Sequence, residues 1–356
     1  MSQEKSISGN ITGFVDGQYL LLGNSEIGKL VDSTKIVNSK FFFKNPITKN
    51  IPIKLYIAAR EDKKIYNQEF VSANDNIIIT GDKHDFRYDL KIEGSKSEND
   101  NISYRQNLKP TSDRINKIVS YFQGNYKNPE FYKKIVKDSS KVLKVSYLKL
   151  DELKIKSIKT NPNSYTALND IFYLKEKFSK KELKVLYNKC DSINKQTFYG
   201  KFLSNYINTN ERIKVGRQFI DFEAKEINGK NHKLSDFLGK YILLEFTETG
   251  CQWCIKSIPE LVKLKQKHVD KLEIISFYAD GTATTREKDL KKYNIDWLTL
   301  SDGNGRSGQT LLNYNTYGYP NFYLIDPKGK VVKHVDGYDD ELESEISNII
   351  LKNKIN

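Results

Sequence analysis

Two cysteines separated by two residues, Cys251-Gln252-Trp253-Cys254, stand between segments of opposite local character. Upstream, Tyr241-Ile242-Leu243-Leu244-Glu245-Phe246 is an apolar run of strand type. Downstream, Ile255, Ile258 and Val262 recur at helical spacing, with Pro259 five residues after the second cysteine. The pair therefore falls at the turn from a strand into a helix. The first turn of a helix offers unpaired N–H groups and a positive partial charge, and both favour a thiolate over a thiol. A C-x-x-C pair in isolation says little. Placed at the mouth of a βα unit, it restricts the chain to a fold that presents two thiols for dithiol/disulfide chemistry.

The flanking sequence extends the pattern. It contains Val215-Gly216-Arg217-Gln218-Phe219-Ile220-Asp221-Phe222, then Ile227-Asn228-Gly229-Lys230, then Leu234-Ser235-Asp236-Phe237-Leu238-Gly239-Lys240. Beyond the cysteines comes Gly318-Tyr319-Pro320-Asn321, followed by the strand Phe322-Tyr323-Leu324-Ile325-Asp326. On these residues the region from about 214 to 354 resembles the thioredoxin superfamily, and within it the TlpA-like, AhpC/TSA-related branch of bacterial envelope thiol-disulfide oxidoreductases. The resemblance implies an α/β thioredoxin-like domain with a central mixed sheet flanked by helices. It departs from the branch at Gly250, where Trp is usual, and at Gln252-Trp253, where a proline-containing dipeptide is common. These changes leave the chemistry intact but alter the redox potential and the substrate surface.

The resemblance also assigns roles. Cys251 is the more exposed, nucleophilic thiol, which attacks a substrate disulfide. Cys254, one turn into the helix, resolves the mixed disulfide. Glu245 stands where thioredoxins carry a buried carboxylate and accepts the proton of Cys254; burial in an apolar strand would raise its pKa towards neutrality. The alternative, that Glu245 faces solvent at a sheet edge, stays open on the sequence. Pro320 matches a cis-proline that brings the backbone of Tyr319 against the sulfurs. Trp253 and Gly250 are placed as substrate contacts, with core packing as the alternative for Trp253. Pro259 matches the proline that kinks the active-site helix. Peroxiredoxin chemistry is disfavoured: it needs Pro seven and Thr or Ser three residues before the cysteine, where this chain has Leu244 and Glu248.

Composition bounds the rest. The 356 residues suffice for two or three domains, and no apolar run approaches the roughly 20 residues that span a bilayer. Three cysteines rule out a disulfide-stapled framework. They also argue against structural zinc, since there is no second C-x-x-C and no histidine among His84, His232, His268 and His334 at a ligand spacing. No metal or bound cofactor is expected; the redox group is the cysteine pair itself. The opening Met1-Ser2-Gln3-Glu4-Lys5 carries no signal peptide, so the resemblance implies a removed export segment, with a lipid-anchoring cysteine ahead of Ser2 as one form of it. The net charge of +13 is concentrated between Thr111 and Val215, which holds 22 Lys and Arg against 10 Asp and Glu. Solvated lysine-covered helices explain this most simply. An anionic membrane surface or an acidic partner is the functional reading, and nucleic acid is disfavoured because Arg is scarce and no recognition motif is present.

Three parts follow along the chain. Residues 1–105 read as an antiparallel β-sandwich or small barrel, with β-rich runs at Phe41-Phe42-Phe43, Ile51–Ile57 and Asn76–Gly81 broken by turn residues. The opening Ile7–Gly13 resembles the uncharacterised β-domain that precedes TlpA-like modules. Ser95–Asn101 is polar and reads as a linker. Residues 106–213 read as a basic helical segment. Its stripes are Ile115, Ile118, Val119 and Phe122; Leu168, Ile171, Phe172 and Phe178; Leu183, Leu186, Tyr187 and Cys190 behind a Ser179/Glu182 capping box; and Phe198, Phe202 and Tyr206. Cys190 completes an apolar stripe and is expected in a core. Residues 214–356 form the thioredoxin-like domain.

The reading that results is a reductase of protein disulfides in the periplasm or cell envelope of a Gram-negative bacterium, re-reduced by a membrane electron donor. Reduction is favoured over oxidation because no histidine lies between the cysteines. The alternative is an envelope binding protein whose thioredoxin-like domain is a scaffold or redox switch.

Overall fold

The computed structural model describes residues 5–26, 29–62, 64–86, 89–125, 129–209, 212–280 and 283–352, with the side chains of 122–140 and 283–285 outside that description. The chain start and the Phe122 side chain, on which two of the expectations rest, fall outside it. The chain divides into two compact units, Met1–Ser204 and Asn205–Asn356.

The first unit opens with eight strands: β1 (Ser6–Thr12), β2 (Tyr19–Asn24), β3 (Lys29–Lys35), β4 (Lys40–Lys44), β5 (Ile53–Glu61), β6 (Lys64–Ser72), β7 (Ile77–Asp82) and β8 (Lys91–Glu93). They form two four-stranded sheets, ordered β4-β1-β7-β8 and β3-β2-β5-β6. Alternation of apolar and polar residues makes each sheet one-sided. Phe41 and Phe43 are buried while Phe42 between them is exposed, and Leu55, Ile57 and Ala59 repeat the rhythm on β5. Both inner faces contribute to one core, with Ile7, Phe43 and Ile79 from one sheet and Leu22, Ile57 and Phe70 from the other. The two sheets thus enclose one shared core. All pairings are antiparallel except β1 with β7, which run parallel. That pair approaches closely at Gly9, where a Cβ would lie 1.7 Å from the Ile79 carbonyl oxygen.

The helices that follow are α1 (Lys96–Asn125), α2 (Pro129–Thr160), α3 (Tyr165–Leu174), α4 (Lys180–Asn188), α5 (Ser192–Gln196) and α6 (Phe198–Asn208). The expected linker at Ser95–Asn101 is instead the start of α1. Ser95 Oγ accepts the Glu98 N–H at 3.3 Å, and Glu98 itself is buried. Its carboxylate accepts the Val71 N–H of β6 at 2.7 Å and the Asn101 amide at 2.8 Å, and it pairs with Arg105 at 2.7 Å. The polar run is polar because it docks a helix on a strand through a carboxylate. The Ser179/Glu182 capping box forms with both reciprocal bonds, and Leu183, Leu186 and Cys190 are buried as their stripe requires. Burial lifts the Cys190 thiol to about 11, so it is inert at neutral pH.

In the second unit, β9 (Glu223–Lys225) and β10 (Asn231–Lys233) form a short hairpin. The central sheet has the order β13 (Leu298–Leu300), β12 (Leu272–Tyr278), β11 (Tyr241–Thr247), β14 (Asn321–Ile325), β15 (Val331–Asp336). β11 runs parallel to β12 and antiparallel to β14. As the middle strand it is buried at all seven positions. Its even-numbered residues Ile242, Leu244 and Phe246 enter one core, with Ile275, Phe277 and Tyr323. Tyr241 and Leu243 enter the opposite core, with Ile274, Phe322, Leu261 of α7 (Gln252–Lys267) and Ile346 of α10 (Leu342–Lys352). Between these last two helices in sequence come α8 (Ala283–Tyr293) and α9 (Gln309–Asn313). This is a thioredoxin-like α/β domain with a mixed sheet.

Candidate active site: the disulfide at the head of the seventh helix

β11 ends at Thr247, and three residues carry the chain to Cys251, which caps α7. That short loop is pinned by carboxylates: the Thr249 N–H donates to Asp280 Oδ1 at 2.7 Å and the Gly250 N–H to Asp289 Oδ2 at 3.1 Å. Gly250 has φ of +74° with open space around a would-be Cβ. Glycine is needed there for its backbone conformation and not for room.

Cys251 and Cys254 are joined as a disulfide with Cα atoms 5.3 Å apart. The two sulfurs differ in setting: Cys251 is half-buried, whereas Cys254 is 4% exposed. Cys251 Sγ accepts the Cys254 N–H at 3.2 Å, and its carbonyl accepts the Ile255 N–H at 3.0 Å. The sulfur thus occupies the position of an N-capping side chain, facing the positive end of α7, and no acidic residue stands in the first turn to compete. Pro259 lies inside α7. It cannot donate to the Ile255 carbonyl, so the ladder is interrupted one turn beyond the cysteines.

Glu245 is 3% exposed in the middle strand and does not face solvent. By strand alternation it projects with Leu243 to the face that α7 covers, the helix carrying Cys254. Burial without a charged partner pushes its carboxyl up to about 7, opposed only by a hydrogen bond from Ser276. Ser276 is its register partner on β12, and Ser276 Oγ in turn accepts the indole N–H of Trp297 at 2.9 Å.

The Tyr319–Pro320 peptide bond is cis. Since Phe246 pairs with Asn321, this loop adjoins the end of β11 from which the cysteine loop departs. Arg306 ties the two together. It makes a forked ion pair with Glu248, with contacts of 2.5 to 3.1 Å, and its guanidinium sits 5.9 Å from the Tyr319 ring centroid. Trp253 is 58% exposed, which removes core packing as its role. Its ring lies 5.8 Å from that of Tyr338, and the Lys256 ammonium caps both rings at 5.1 and 4.4 Å. Arg306, Lys256, Tyr338, Ser276 and Trp297 were not anticipated from the sequence. The only signal at Ser276 is a polar residue within the apolar run Ile274-Ile275-Ser276-Phe277.

A cysteine pair capping a helix, a cis-proline loop beside it and a buried carboxyl beneath define a thioredoxin-fold protein with a dithiol/disulfide site. A model of the AhpC/TSA family matches residues 215–334, and one of a domain of unknown function, DUF4369, matches residues 6–101. The chain is 30% identical over 133 residues to the thiol-disulfide oxidoreductase ResA of Bacillus cereus (strain ATCC 10987 / NRS 248), covering 37% of this chain and 75% of that protein. It is 31% identical over 126 residues to the thioredoxin-like protein YneN of Bacillus subtilis (strain 168), covering 33% and 69% respectively. A solved thiol:disulfide interchange protein from Bacteroides sp. is 26% identical, covering 40% of this chain and 93% of that one, with a TM-score of 0.37. The chain belongs to the AhpC/TSA family, among its thiol-disulfide oxidoreductases.

Proposed function

We infer that Cys251 and Cys254 are the redox pair with which this enzyme reduces disulfides of other proteins in the bacterial cell envelope. The reading rests on one arrangement: a half-buried sulfur capping α7, a buried sulfur one turn in, and a buried carboxyl on the sheet face that α7 covers. In the reduced enzyme the Cys251 thiolate attacks one sulfur of a substrate disulfide. A mixed disulfide forms, and the departing substrate sulfur takes a proton from water. Cys254 then gives its proton to Glu245 and attacks Cys251 Sγ, expelling the second substrate thiolate, which takes up a proton from water as Glu245 returns its own to solvent. Two electrons pass from the dithiol to the substrate, and the Cys251–Cys254 disulfide remains. No bound cofactor is required. The cis Tyr319–Pro320 loop offers backbone to an extended substrate, with Trp253 and the open Gly250 corner as the adjoining contact surface.

Turnover requires a dithiol donor to reduce the disulfide again, and in an oxidising compartment we assign that role to a membrane protein. Among the described residues no helix is long and apolar enough to cross a membrane. We place the protein in the periplasm of a Gram-negative cell, with a lipid anchor ahead of Ser2 or the Lys-rich stretch against anionic lipid as the attachment proposed.

The test is an insulin-reduction assay on the wild type, Cys251→Ser and Cys254→Ser, joined to a redox titration in graded thiol/disulfide buffers. The reductase reading expects no turnover from Cys251→Ser, a trapped mixed disulfide on Cys254→Ser, and a two-electron midpoint at or below about −220 mV. A midpoint near about −120 mV would make the protein an oxidant. Full activity in vivo of the doubly substituted chain would transfer the function to the first unit as a binding protein.

A further inference from the structure

Buried carboxyl groups elsewhere in the described residues have cationic partners. Glu98 has Arg105, and Asp170 has Lys154 together with the Tyr104 hydroxyl. Glu245 has neither cation nor backbone donor; its one hydrogen-bond partner is the Ser276 hydroxyl. In that bond the Ser276 hydroxyl donates to Glu245 Oε2. An indole N–H can only donate, so Ser276 Oγ must accept from it at 2.9 Å. A hydroxyl has one proton and two lone pairs, so Ser276 can accept from Trp297 and still give its proton to Glu245, and an ionised Glu245, which has no proton of its own, can only accept. Parallel pairing of β11 with β12 and of β12 with β13 holds the three side chains in line, since Glu245 is registered with Ser276 and Ser276 with Thr299, two residues from Trp297.

We propose that Ser276 and Trp297 form a fixed relay that sets the proton affinity of Glu245, making Ser276 a positioning residue for the step in which Cys254 resolves the mixed disulfide. The inference rests on the reading that Glu245 takes the proton of Cys254. A donor aimed at a carboxyl stabilises its ionised form, so the relay keeps a fraction of Glu245 ionised, and ready to accept, where burial would hold it protonated. Other ionisable groups lie on this side: Arg286 and Asp289 of α8 and Asp280 act on Tyr278, and the buried His268 at the end of α7 bonds Ser347 of α10. α7 brings Cys254, and the end of β12 brings Tyr278, which burial keeps protonated. From β14 the register partner is Phe322. The acids Glu343 and Glu345 of α10 are held by Lys267 and Lys333. Of these groups it is the Ser276 hydroxyl that opposes the effect of burial on this carboxyl.

The relay is tested by stopped-flow reaction of the reduced protein with dithiobis(nitrobenzoate). Cys251 attacks this disulfide and expels one nitrothiobenzoate anion. Cys254 then attacks Cys251 Sγ, expels the second, and leaves its proton on Glu245, so the second release reads Cys254 deprotonation as a function of pH. For Ser276→Ala the midpoint of the second release should move up by about one pH unit, the size of one hydrogen bond to a charged group. That slows the step about fivefold at pH 7 and little at about pH 9. Ser276→Thr restores the hydroxyl and should return the midpoint to the wild-type value. Trp297→Phe should give a smaller shift of the same sign. In Glu245→Gln the midpoint should vanish, and adding Ser276→Ala to it should change nothing more. If Glu245→Gln slows the second release but Ser276→Ala leaves its midpoint in place, the relay is overturned while the role of Glu245 stands. Should Ser276→Ala fail to fold, Trp297→Phe carries the test, and an unmoved midpoint there overturns the relay equally. If Glu245→Gln leaves the second release unchanged, the reading beneath the proposal falls, and the relay with it.

Discussion

Glu98 in the first unit and Glu245 in the second are both carboxyl groups sealed from solvent, and burial lifts the pKa of both. Their surroundings differ in kind. Glu98 collects a backbone N–H, an amide and a guanidinium, and it fastens α1 to β6. Glu245 receives a single hydroxyl proton and is left near neutrality, at about 7. A carboxyl with its acceptor sites filled is a structural bolt, because removing it orphans every donor around it. A carboxyl with spare capacity and a pKa near the working pH is positioned to exchange a proton. Side-chain burial alone does not separate the two uses; the set of donors does.

The largest effect expected from this contrast is at Glu98. Glu98→Ala leaves the Val71 N–H and the Asn101 amide without their buried acceptor and takes the carboxylate from Arg105, which keeps its bond to the Glu69 carbonyl. The cost should be about 3–5 kcal/mol, read as a lower denaturation midpoint of the first unit at neutral pH. The reduction potential of the cysteine pair should not change. A loss below about 1 kcal/mol would mean that solvent reaches these donors, and the distinction between bolt and proton acceptor would fail.

Glu245→Gln should do the reverse. The folded carboxyl titrates at about 7 against an ordinary value of 4.5. Below pH 4.5 it is protonated in both folded and unfolded chains and costs nothing. As pH rises from there to 7 the unfolded chain loses the proton first, so the wild type loses stability through that window and stays lower above it. Replacing it with a neutral amide removes the penalty, and the variant should be more stable by about 3 kcal/mol at about pH 8 and equal at about pH 4. Chemical denaturation of the oxidised protein keeps the thiols out of the titration. A pH-independent difference would show that Glu245 is not held near neutrality. The gain in stability should accompany a slower second release of nitrothiobenzoate, a direct exchange of function for stability.

Much of the second unit was legible in the sequence, and the reasons are local. Tyr241–Phe246 is apolar at every residue but one because a central strand is covered on both faces. Ile255, Ile258 and Val262 mark the buried side of α7, and the cysteines fall where strand turns to helix. What was not legible arrives from a distance. Ser276 reaches Glu245 from 31 residues away and Arg306 reaches Glu248 from 58, through strand pairing and loop packing that no window of sequence contains. In the first unit the alternating strands were readable, but the start of α1 was not. Ser95-Lys96-Ser97-Glu98 has the helix-opening pattern of a hydroxyl followed three residues later by a carboxyl. No apolar stripe follows it closely, because this turn docks through Glu98 itself. The 32-residue α2 was likewise not separated from its neighbours, its lysines standing more densely than any apolar face.

Asp170 gives the finest division between the two kinds of carboxyl, and the smallest expected effect. It is 2% exposed, accepts the Tyr104 hydroxyl and lies 3.4 Å from the Lys154 ammonium, so it stands between Glu98 and Glu245 in its partners. Asp170→Asn keeps an acceptor for Tyr104 and surrenders the attraction to Lys154, whose side chain retains access to water, and a weaker one to Lys54. It also removes a group whose pKa burial has raised, which, as at Glu245, relieves a penalty as pH rises. The two changes oppose each other, and the net change in unfolding free energy at neutral pH should stay below about 1 kcal/mol. If the loss instead equals that of Glu98→Ala, the charge on a buried carboxyl and not its set of donors decides its role. If Asp170→Asn stabilises as strongly as Glu245→Gln, Lys154 contributes nothing to holding Asp170, and Asp170 belongs with the proton-exchanging class.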